Sequence, residues 1–221
     1  MLFSKIADNQ NPSSLASSFR NRRINLLKEW IAPLAKPVRI LDIGGTEKFW
    51  QDAGLQEGDV EITLLNLEAT ETKHNHIKSI SGDARDLSMF GDKSFDLAFS
   101  NSVIEHLFSL ENQQKMANEA MRVAKFYFIQ TPNYWFPIEP HWVFPFFQFL
   151  PKFLRVILTR YFNLGHLKHS ATWEKARAQV NEIRLLDKNE MQSLFPKGFI
   201  WEEKIIFLTK SIVAHNFKKS S

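Results

Sequence analysis

The chain has 221 residues, of which 44% are hydrophobic and 24% are charged, and its formal net charge is +4. These values are ordinary for a globular protein and argue against a disordered or fibrous chain. Because there is no cysteine, disulfides, thiolate metal sites and cysteine nucleophiles are excluded. A net charge this small gives little support for nucleic-acid binding. The first ten residues lack the apolar segment of a secretory signal, so we expect a cytoplasmic location.

Residues 1–18 are predicted to be a mobile leader, because positions 8–18 are rich in Asn, Pro and Ser. Residues 19–221 are expected to form a single domain, since the length suits one core. The first helix is predicted from apolar residues at three- and four-residue intervals, and it ends before Pro37. These apolar residues are Leu27, Trp30, Ile31 and Leu34.

Five short apolar segments alternate with helical ones and are predicted to be strands. They are residues 38–43, 61–67, 77–80, 94–100 and 126–130. Helices are predicted at 47–53 and 111–124, and this alternation favours a parallel sheet joined by right-handed crossovers. Near the end, residues 200–208 and 211–217 predict an antiparallel hairpin at one sheet edge, which completes a set of seven strands.

Polar residues follow several predicted strands, at the sheet edge where ligands bind in such folds. Asp42 is followed by glycines at 44–45, which let the backbone approach a ligand closely. Glu68 follows the second strand, and its carboxylate suits a pair of ribose hydroxyls. Asp83 and the backbone of Ala84 suit an adenine ring. Any single acid is more simply a solvated loop residue, but three at successive strand ends favour a nucleoside site.

The motifs of other nucleotide sites are missing from this chain. A dinucleotide turn needs Gly-x-Gly-x-x-Gly, and counting from Gly44 the later glycines are replaced by Thr46 and Phe49. There is no P-loop sequence, and no Lys follows a Tyr at the spacing of short-chain dehydrogenases. An acid-rich rim without a phosphate-binding turn favours a cationic nucleoside that carries no phosphate.

Taken in order, the motifs resemble those of class I S-adenosylmethionine-dependent methyltransferases, of the broad group called type 11. The resemblance covers roughly residues 38–132 and includes Asp42-Ile43-Gly44-Gly45, Leu65-Asn66-Leu67-Glu68, Gly82-Asp83-Ala84-Arg85-Asp86-Leu87 and the segment 94–107. It implies a Rossmann-like, doubly wound α/β fold with a mostly parallel seven-stranded sheet, and S-adenosylmethionine as the cofactor. The cofactor-binding residues that it implies are Asp42, Gly44, Gly45, Thr46, Glu68, Asp83, Ala84, Asn101 and Ser102.

One motif departs from the family pattern. The usual Asp-x-Gly-x-Gly-x-Gly becomes Asp42-x-Gly44-Gly45-Thr46-x-Lys48, so its later glycines are lost. A relative that does not methylate therefore stays open as an alternative.

The resemblance implies methyl transfer by in-line displacement, in which proximity and orientation supply much of the rate. If a general base is used, His106 is the candidate, because imidazole titrates near neutral pH. The alternative is that His106 caps or packs at a helix start. No metal site is expected, because the quinone-type motif Glu-x-x-Glu-His has Ser102 at its first position here. His74 and His76 are more simply part of a polar loop.

Residues 133–186 are rich in aromatic side chains and are predicted to be a helical lid inserted before the last hairpin. Their prolines and basic residues argue against a transmembrane helix, which needs about 20 uninterrupted apolar residues. Two roles stay open: the aromatic residues complete the core, or they form an apolar substrate pocket or touch a membrane surface. The predicted substrate-binding residues are Asn133, Tyr134, Trp135, His141 and Trp142.

The acceptor is expected to be a small molecule with a hydroxyl group, such as a sugar, a lipid or a specialised metabolite. Enzymes that methylate base amines carry Asn/Asp-Pro-Pro-Tyr/Phe after the fourth strand, whereas residues 100–103 are Ser-Asn-Ser-Val, which argues against nucleic acid. The alternative is a non-catalytic module that binds a protein partner or a membrane surface through the Phe-rich insertion. The sequence leaves the oligomeric state open.

Overall fold

A computed structural model describes residues 15–165 and 167–218, and its first element is helix α1, Leu15–Ile31. Residues 15–18, at the end of the predicted leader, form the first turn of α1, and Ser17 is buried. The rest of the predicted leader lies outside the described residues. The helix ends at Ile31 since the following residue precedes Pro33 and is pushed out of the helical region.

Seven strands form the central sheet, in the order β3-β2-β1-β4-β5-β9-β8. They are β1 Val38–Ile43, β2 Val60–Asn66, β3 Ile77–Ser81, β4 Phe95–Asn101, β5 Ala124–Pro132, β8 Phe199–Ile205 and β9 Leu208–His215. The first five strands are parallel, and β9 runs antiparallel to both β5 and β8. The predicted Rossmann-like sheet is confirmed, and its strand order reverses between β1 and β4, where such folds bind ligands.

Helices cover both faces of this sheet, which explains why β1 is apolar along most of its length. On one face, Leu41 and Leu65 belong to the core formed with α3, Leu110–Val123, and α6, Lys188–Leu194. On the other face, residues of α1 and of α2, Glu47–Ala53, pack against the strands. The carboxyl ends of β1 and β4 therefore lie between two packed layers.

The C-terminal hairpin is confirmed, but its turn lies three residues earlier than predicted. Strands β8 and β9 are joined by Ile206 and Phe207, which are 83% and 91% exposed. The prediction placed the turn at the polar pair of residues 209–210. Two apolar residues form the turn instead, and Ile206 adopts a positive φ of 54° there, so turn composition gave the wrong position.

A buried ion pair joins α1 to this hairpin. The Glu203 carboxylate is fully buried and accepts hydrogen bonds from Arg23 Nη1 and Ser211 Oγ, both at 2.7 Å. Lys210 Nζ lies 3.7 Å from the same carboxylate. Burial and the charge of Arg23 lower the pKa of Lys210 to about 8, although Glu203 opposes this shift.

Residues 133–186 form an insertion between β5 and α6 in which helices alternate with irregular segments. It contains α4, Lys152–Tyr161, and α5, Trp173–Glu182. A two-stranded ribbon of β6, Ile138–Glu139, and β7, Phe144–Pro145, was not predicted. The insertion has its own small core, built from Trp142, Phe147, Val156, Ala176 and Val180. No helix in the described part of the chain is long and apolar enough to cross a membrane.

Candidate active site

The turn after β1 is closely packed around two glycines. Gly44 has φ +78°, and a Cβ atom there would overlap the side chain of Val103. A Cβ atom on Gly45 would overlap the Asp42 carboxylate. The hydroxyl of Thr46 caps α2 by accepting a hydrogen bond from the backbone N–H of Phe49. Only glycine fits at both positions, because neighbouring side chains occupy the space that a Cβ atom would need.

Asp42 supports this turn from inside the protein. Its side chain is 1% exposed, and Oδ2 accepts a hydrogen bond of 2.7 Å from Trp50 Nε1. Oδ1 has no hydrogen-bond partner among the described residues. Burial raises the pKa of Asp42 to about 7, and the bond from Trp50 partly opposes that rise. The Asp42 carboxylate is thus buried against Gly45, where a Cβ atom would overlap it.

Neighbouring strands hold the glycine turn in place. Asn66, the last residue of β2, donates from Nδ2 to the carbonyl of Gly45 at 3.0 Å. The hydroxyl of Ser100 on β4 donates to the carbonyl of Ile43 at 3.0 Å. Sequence reasoning did not identify the supporting role of either residue, although Asn66 stands inside the quoted motif before Glu68. Glu68 is exposed two residues beyond the end of β2.

The predicted adenine-side residues follow β3. Asp83 forms a two-point ion pair with Arg85, whose Nε lies 2.9 Å from Oδ1 and whose Nη2 lies 2.5 Å from Oδ2. Hydrogen bonding to Arg85 lowers the pKa of Asp83. Ala84 between them is half-buried. A ligand that bonds to Asp83 would therefore share this carboxylate with Arg85.

The end of β4 carries the last two predicted cofactor residues. Asn101 lies opposite Gln130 in the parallel register. Ser102 has a positive φ of 60°, and its hydroxyl donates to Gln130 Oε1 at 3.0 Å. The turn after β4 therefore faces the same sheet edge as Gly44 and Gly45, and β5 fixes its shape.

A cluster of acids and histidines follows this turn. The 3₁₀ helix Ile104–His106 carries Glu105, which is fully buried and accepts a hydrogen bond of 2.9 Å from Thr131 Oγ1. Burial raises the pKa of Glu105. His106 Nδ1 lies 3.2 Å from Glu182 Oε1 on α5. His106 therefore has an acidic neighbour, Glu182, that sequence reasoning had not identified.

His141 comes from the insertion and meets His106 directly. The two Nε2 atoms lie 3.3 Å apart, and His141 Nδ1 lies 2.6 Å from Glu139 Oε1. Burial alone would lower the pKa of His141, but the hydrogen bond to Glu139 and the charges of nearby carboxylates raise it. The spacing Glu139-Pro140-His141 is a local signal for this pair, whereas the contribution of Glu182 depends on how α5 packs.

The other predicted substrate residues divide between a cavity and the rest of the insertion. Tyr134 and Trp142 line a cavity of about 380 Å³, although Trp142 is 3% exposed and belongs to the insertion core. Asn133 is buried, and its amide bonds to the Thr209 carbonyl at 2.9 Å, so its role here is structural. Trp135 is 61% exposed and is not part of the cavity lining.

The cavity carries polar groups that lack partners. Arg155 Nε and Gln148 Oε1 are buried without a hydrogen-bond partner in the described ranges, and both residues line the cavity. Burial lowers the pKa of Arg155. Glu139, which holds His141, forms part of the same wall. Buried polar atoms are normally bonded, so this lining suits a polar ligand.

Comparison with known proteins adds a family to this geometry. Residues 42–126 match the family model of a methyltransferase domain. A segment of 56 residues is 38% identical to an uncharacterized protein of Mycobacterium tuberculosis and covers 25% of this chain and 19% of that protein. The chain thus matches about a fifth of the length of this relative.

Two solved structures share the fold. A S-adenosylmethionine-dependent methyltransferase from Methanosarcina mazei aligns over 87% of this chain and 97% of its own, with a TM-score of 0.57 and 13% identity. Phosphoethanolamine N-methyltransferase 2 of Haemonchus contortus, solved with S-adenosyl-L-methionine, aligns over 82% of this chain and 38% of its own, with a TM-score of 0.50 and 16% identity. The match over residues 42–126 supports the prediction of a class I S-adenosylmethionine-dependent methyltransferase and its cofactor, and the two structures share its fold.

Proposed function

We propose that this chain, a class I S-adenosylmethionine-dependent methyltransferase by its family match and fold, transfers a methyl group to a hydroxyl of a small, polar acceptor. The observation that carries the proposal is the glycine turn at the point where the strand order reverses. Both Gly44 and Gly45 stand where a Cβ would overlap a neighbour, so the turn requires glycine, and it lies at the switch point where such folds bind ligands. When bound there, S-adenosylmethionine supplies a methyl group on a sulfonium centre. The sulfur leaves readily, as a neutral thioether, when the methyl group is transferred.

The residues at this edge fit such a cofactor. We assign the turn of Gly44, Gly45 and Thr46 to its backbone contacts, with Asp42 acting through the turn rather than by direct contact. Glu68 is exposed and suits the ribose hydroxyls. Asp83 and Ala84 suit the adenine, and Asn101 and Ser102 complete the rim beside the turn.

His106 is the residue that we assign to activation of the acceptor. It follows β4 on the 3₁₀ helix, and its Nε2 meets Nε2 of His141 while both Nδ1 atoms lie near carboxylates. An imidazole held in this way keeps an Nε2 lone pair for a proton taken from a hydroxyl. The insertion, which supplies His141, is proposed to act as the lid over the acceptor.

The cavity beside Tyr134 is proposed to hold the acceptor. Its volume of about 380 Å³ lies in the range of small-molecule sites. The unpartnered Arg155 Nε donor and Gln148 Oε1 acceptor favour a polar molecule, such as a sugar or a hydroxylated metabolite, over a lipid tail.

The proposed activity is tested with S-adenosylmethionine carrying a tritiated methyl group, incubated with the protein and with fractions of a whole-cell extract. We expect label in a small-molecule fraction, and none with a Gly45→Ala variant. Label confined to nucleic acid would contradict the proposed acceptor class, and an absence of label from every fraction would contradict the activity.

A second function is favoured by the exposed aromatic side chains of the insertion. Trp135 and Phe149 have ring centroids 5.8 Å apart, and Phe146 lies 6.3 Å from Phe149. Phe153 on α4 is 63% exposed and stands next to Lys152. Aromatic residues flanked by basic ones suit the surface of an anionic membrane. In flotation with anionic liposomes, we expect the wild-type protein to float with the liposomes. A variant with both Trp135 and Phe153 changed to Ala is expected to stay in the bottom fraction.

A further inference from the structure

The pairing of His106 with His141 poses an electrostatic problem. Each Nδ1 lies beside a carboxylate, Glu182 for His106 and Glu139 for His141, at 3.2 and 2.6 Å. A carboxylate accepts hydrogen bonds, so these partners assign the proton of each neutral ring to Nδ1. Both Nε2 atoms then carry lone pairs, and they face one another at 3.3 Å. Two facing lone pairs repel unless a positive charge lies between them.

Glu105 supplies a third electron-rich group at the same place. Its side chain is fully buried, and Oε1 has no hydrogen-bond partner within residues 15–165 and 167–218. Ligand atoms of Glu105, His106 and His141 all lie within 4.8 Å of one another. A buried carboxylate oxygen without a partner is costly, and a cation beside it reduces that cost.

The distances also match those around a metal ion. Two nitrogen ligands bound to one tetrahedral Zn²⁺ at about 2.0–2.1 Å lie roughly 3.3–3.4 Å apart. The spacing of 3.3 Å between the Nε2 atoms falls at that value. Carboxylates on the far nitrogens of metal-bound histidines are the usual second layer of such sites, where they fix the ring and raise its basicity.

We propose that Glu105, His106 and His141 bind a divalent transition-metal ion, with Glu139 and Glu182 holding the two imidazoles. Two imidazoles and one carboxylate suit Zn²⁺ and its first-row neighbours, and three protein ligands leave a position open for an exogenous oxygen. The sequence predicted no metal because Ser102 replaces the first acid of Glu-x-x-Glu-His. The third ligand comes instead from the insertion, which the motif does not include.

The role of this ion rests on the proposed function, whereas its binding does not. An acceptor hydroxyl that takes the open position would have its pKa lowered by the cation. His106 would then act on the acceptor through the metal rather than as a free base. The insertion contributes to the site directly, because His141 is one of its ligands.

The test is titration of the chelator-treated, tag-free protein with ZnCl₂ by calorimetry, and with Co²⁺ by visible absorption. We expect one ion per chain and an intense Co²⁺ band that Zn²⁺ displaces. His141→Ala should weaken Zn²⁺ binding by about 100-fold, and Glu139→Gln should weaken it by roughly 10- to 100-fold. His74→Ala is the matched control, because His74 is an exposed histidine that also lies beside a carboxylate, Glu47.

Zn²⁺ binding that is equally weak in the wild type and in His141→Ala would overturn the metal site. A proton shared between the two Nε2 atoms would then account for their short distance. Calorimetry with S-adenosylmethionine on His141→Ala shows that the variant is folded and tests the cofactor site separately. Loss of Zn²⁺ binding with normal cofactor binding supports the metal site. Methyl transfer at an unchanged rate after complete removal of metal would overturn the role of the ion in the reaction.

Discussion

Gly45 lies directly against the carboxylate of Asp42, so that a Cβ atom at residue 45 would overlap it. This relationship restricts residue 45 of the turn after β1 to glycine. It gives the Asp-x-Gly-Gly motif a physical reason, because the acid and the second glycine occupy adjoining space. Cofactor binding and the stability of the turn are therefore coupled through one contact.

Gly45→Ala is expected to destabilise the protein and abolish cofactor binding. The added methyl group meets a buried carboxylate that Trp50 holds in place, and such overpacking typically costs about 1–3 kcal/mol. Urea unfolding and calorimetry with S-adenosylmethionine measure the two effects. Gly91→Ala is the matched control, since a Cβ there meets nothing within 4 Å. Equal stability and affinity in both variants would contradict the packing argument.

Asp42 is expected to make stability fall as the pH rises from 4 to 7. Its carboxyl titrates near pH 4 in the unfolded chain and at about 7 in the folded protein, so between these values the folded state holds the extra proton. This contribution is complete below pH 4 and is lost by about pH 7, at up to about 1.4 kcal/mol per pH unit.

Asp42→Asn should remove that slope, and Asp92→Asn at an exposed position should keep it. The measurement is the free energy of unfolding of wild type and both variants at several pH values from 4 to 7.5. Wild-type and Asp42→Asn curves that run parallel would show that the Asp42 carboxyl is ionised in the folded state throughout this range.

Glu203→Gln is expected to destabilise the protein by about 3–5 kcal/mol. The change leaves Arg23 buried without its anion, and a buried pair that loses one partner leaves an uncompensated charge. Glu111→Gln is the control, because Glu111 forms an exposed helical pair with Lys115 and its loss should fall within experimental error. Chemical denaturation gives both values, and equal effects of the two changes would mean that the buried pair is not stabilising.

Arg155→Met is expected to raise the KM for the acceptor by roughly tenfold or more while leaving cofactor affinity unchanged. Methionine keeps the apolar length of the side chain but removes the unpartnered Nε donor that lines the cavity. Lys152→Met on the same helix, at an exposed position, is the control for charge loss. Steady-state kinetics with the acceptor found by tritium transfer measures both. An unchanged KM in Arg155→Met would contradict the proposal that this cavity holds the acceptor.

His106→Ala is expected to lower turnover by about 10²- to 10⁴-fold, because we assign His106 to activation of the acceptor. Cofactor affinity should stay at the wild-type value, since His106 lies beyond the glycine turn. Single-turnover transfer of labelled methyl measures the chemical step. A variant that keeps full turnover would show that His106 only packs against Glu182 and His141.

The sequence predicts those features of the fold and the site that depend on residues close together in the chain. The turn of Asp42, Gly44 and Gly45 is local, so its motif predicts its shape. The Asp42–Trp50 hydrogen bond and the support from Asn66 depend on packing, and the motif does not show them.

Tertiary packing decides the rest of the site. His106 and His141 are 35 residues apart and meet only because the insertion packs beside the 3₁₀ helix. Motif comparison ends before the insertion and therefore missed this pair. The turn at Ile206 and Phe207 was misplaced for a related reason, because its exposed apolar residues do not carry the composition of a turn.

The central claim is that the glycine turn after β1 binds S-adenosylmethionine. Calorimetric titration of the wild-type protein with this cofactor tests the claim most directly. The account predicts saturable binding of one cofactor per chain, with an affinity that Gly45→Ala abolishes and Gly91→Ala leaves unchanged. An absence of binding heat at millimolar cofactor, confirmed at a second temperature, would contradict it.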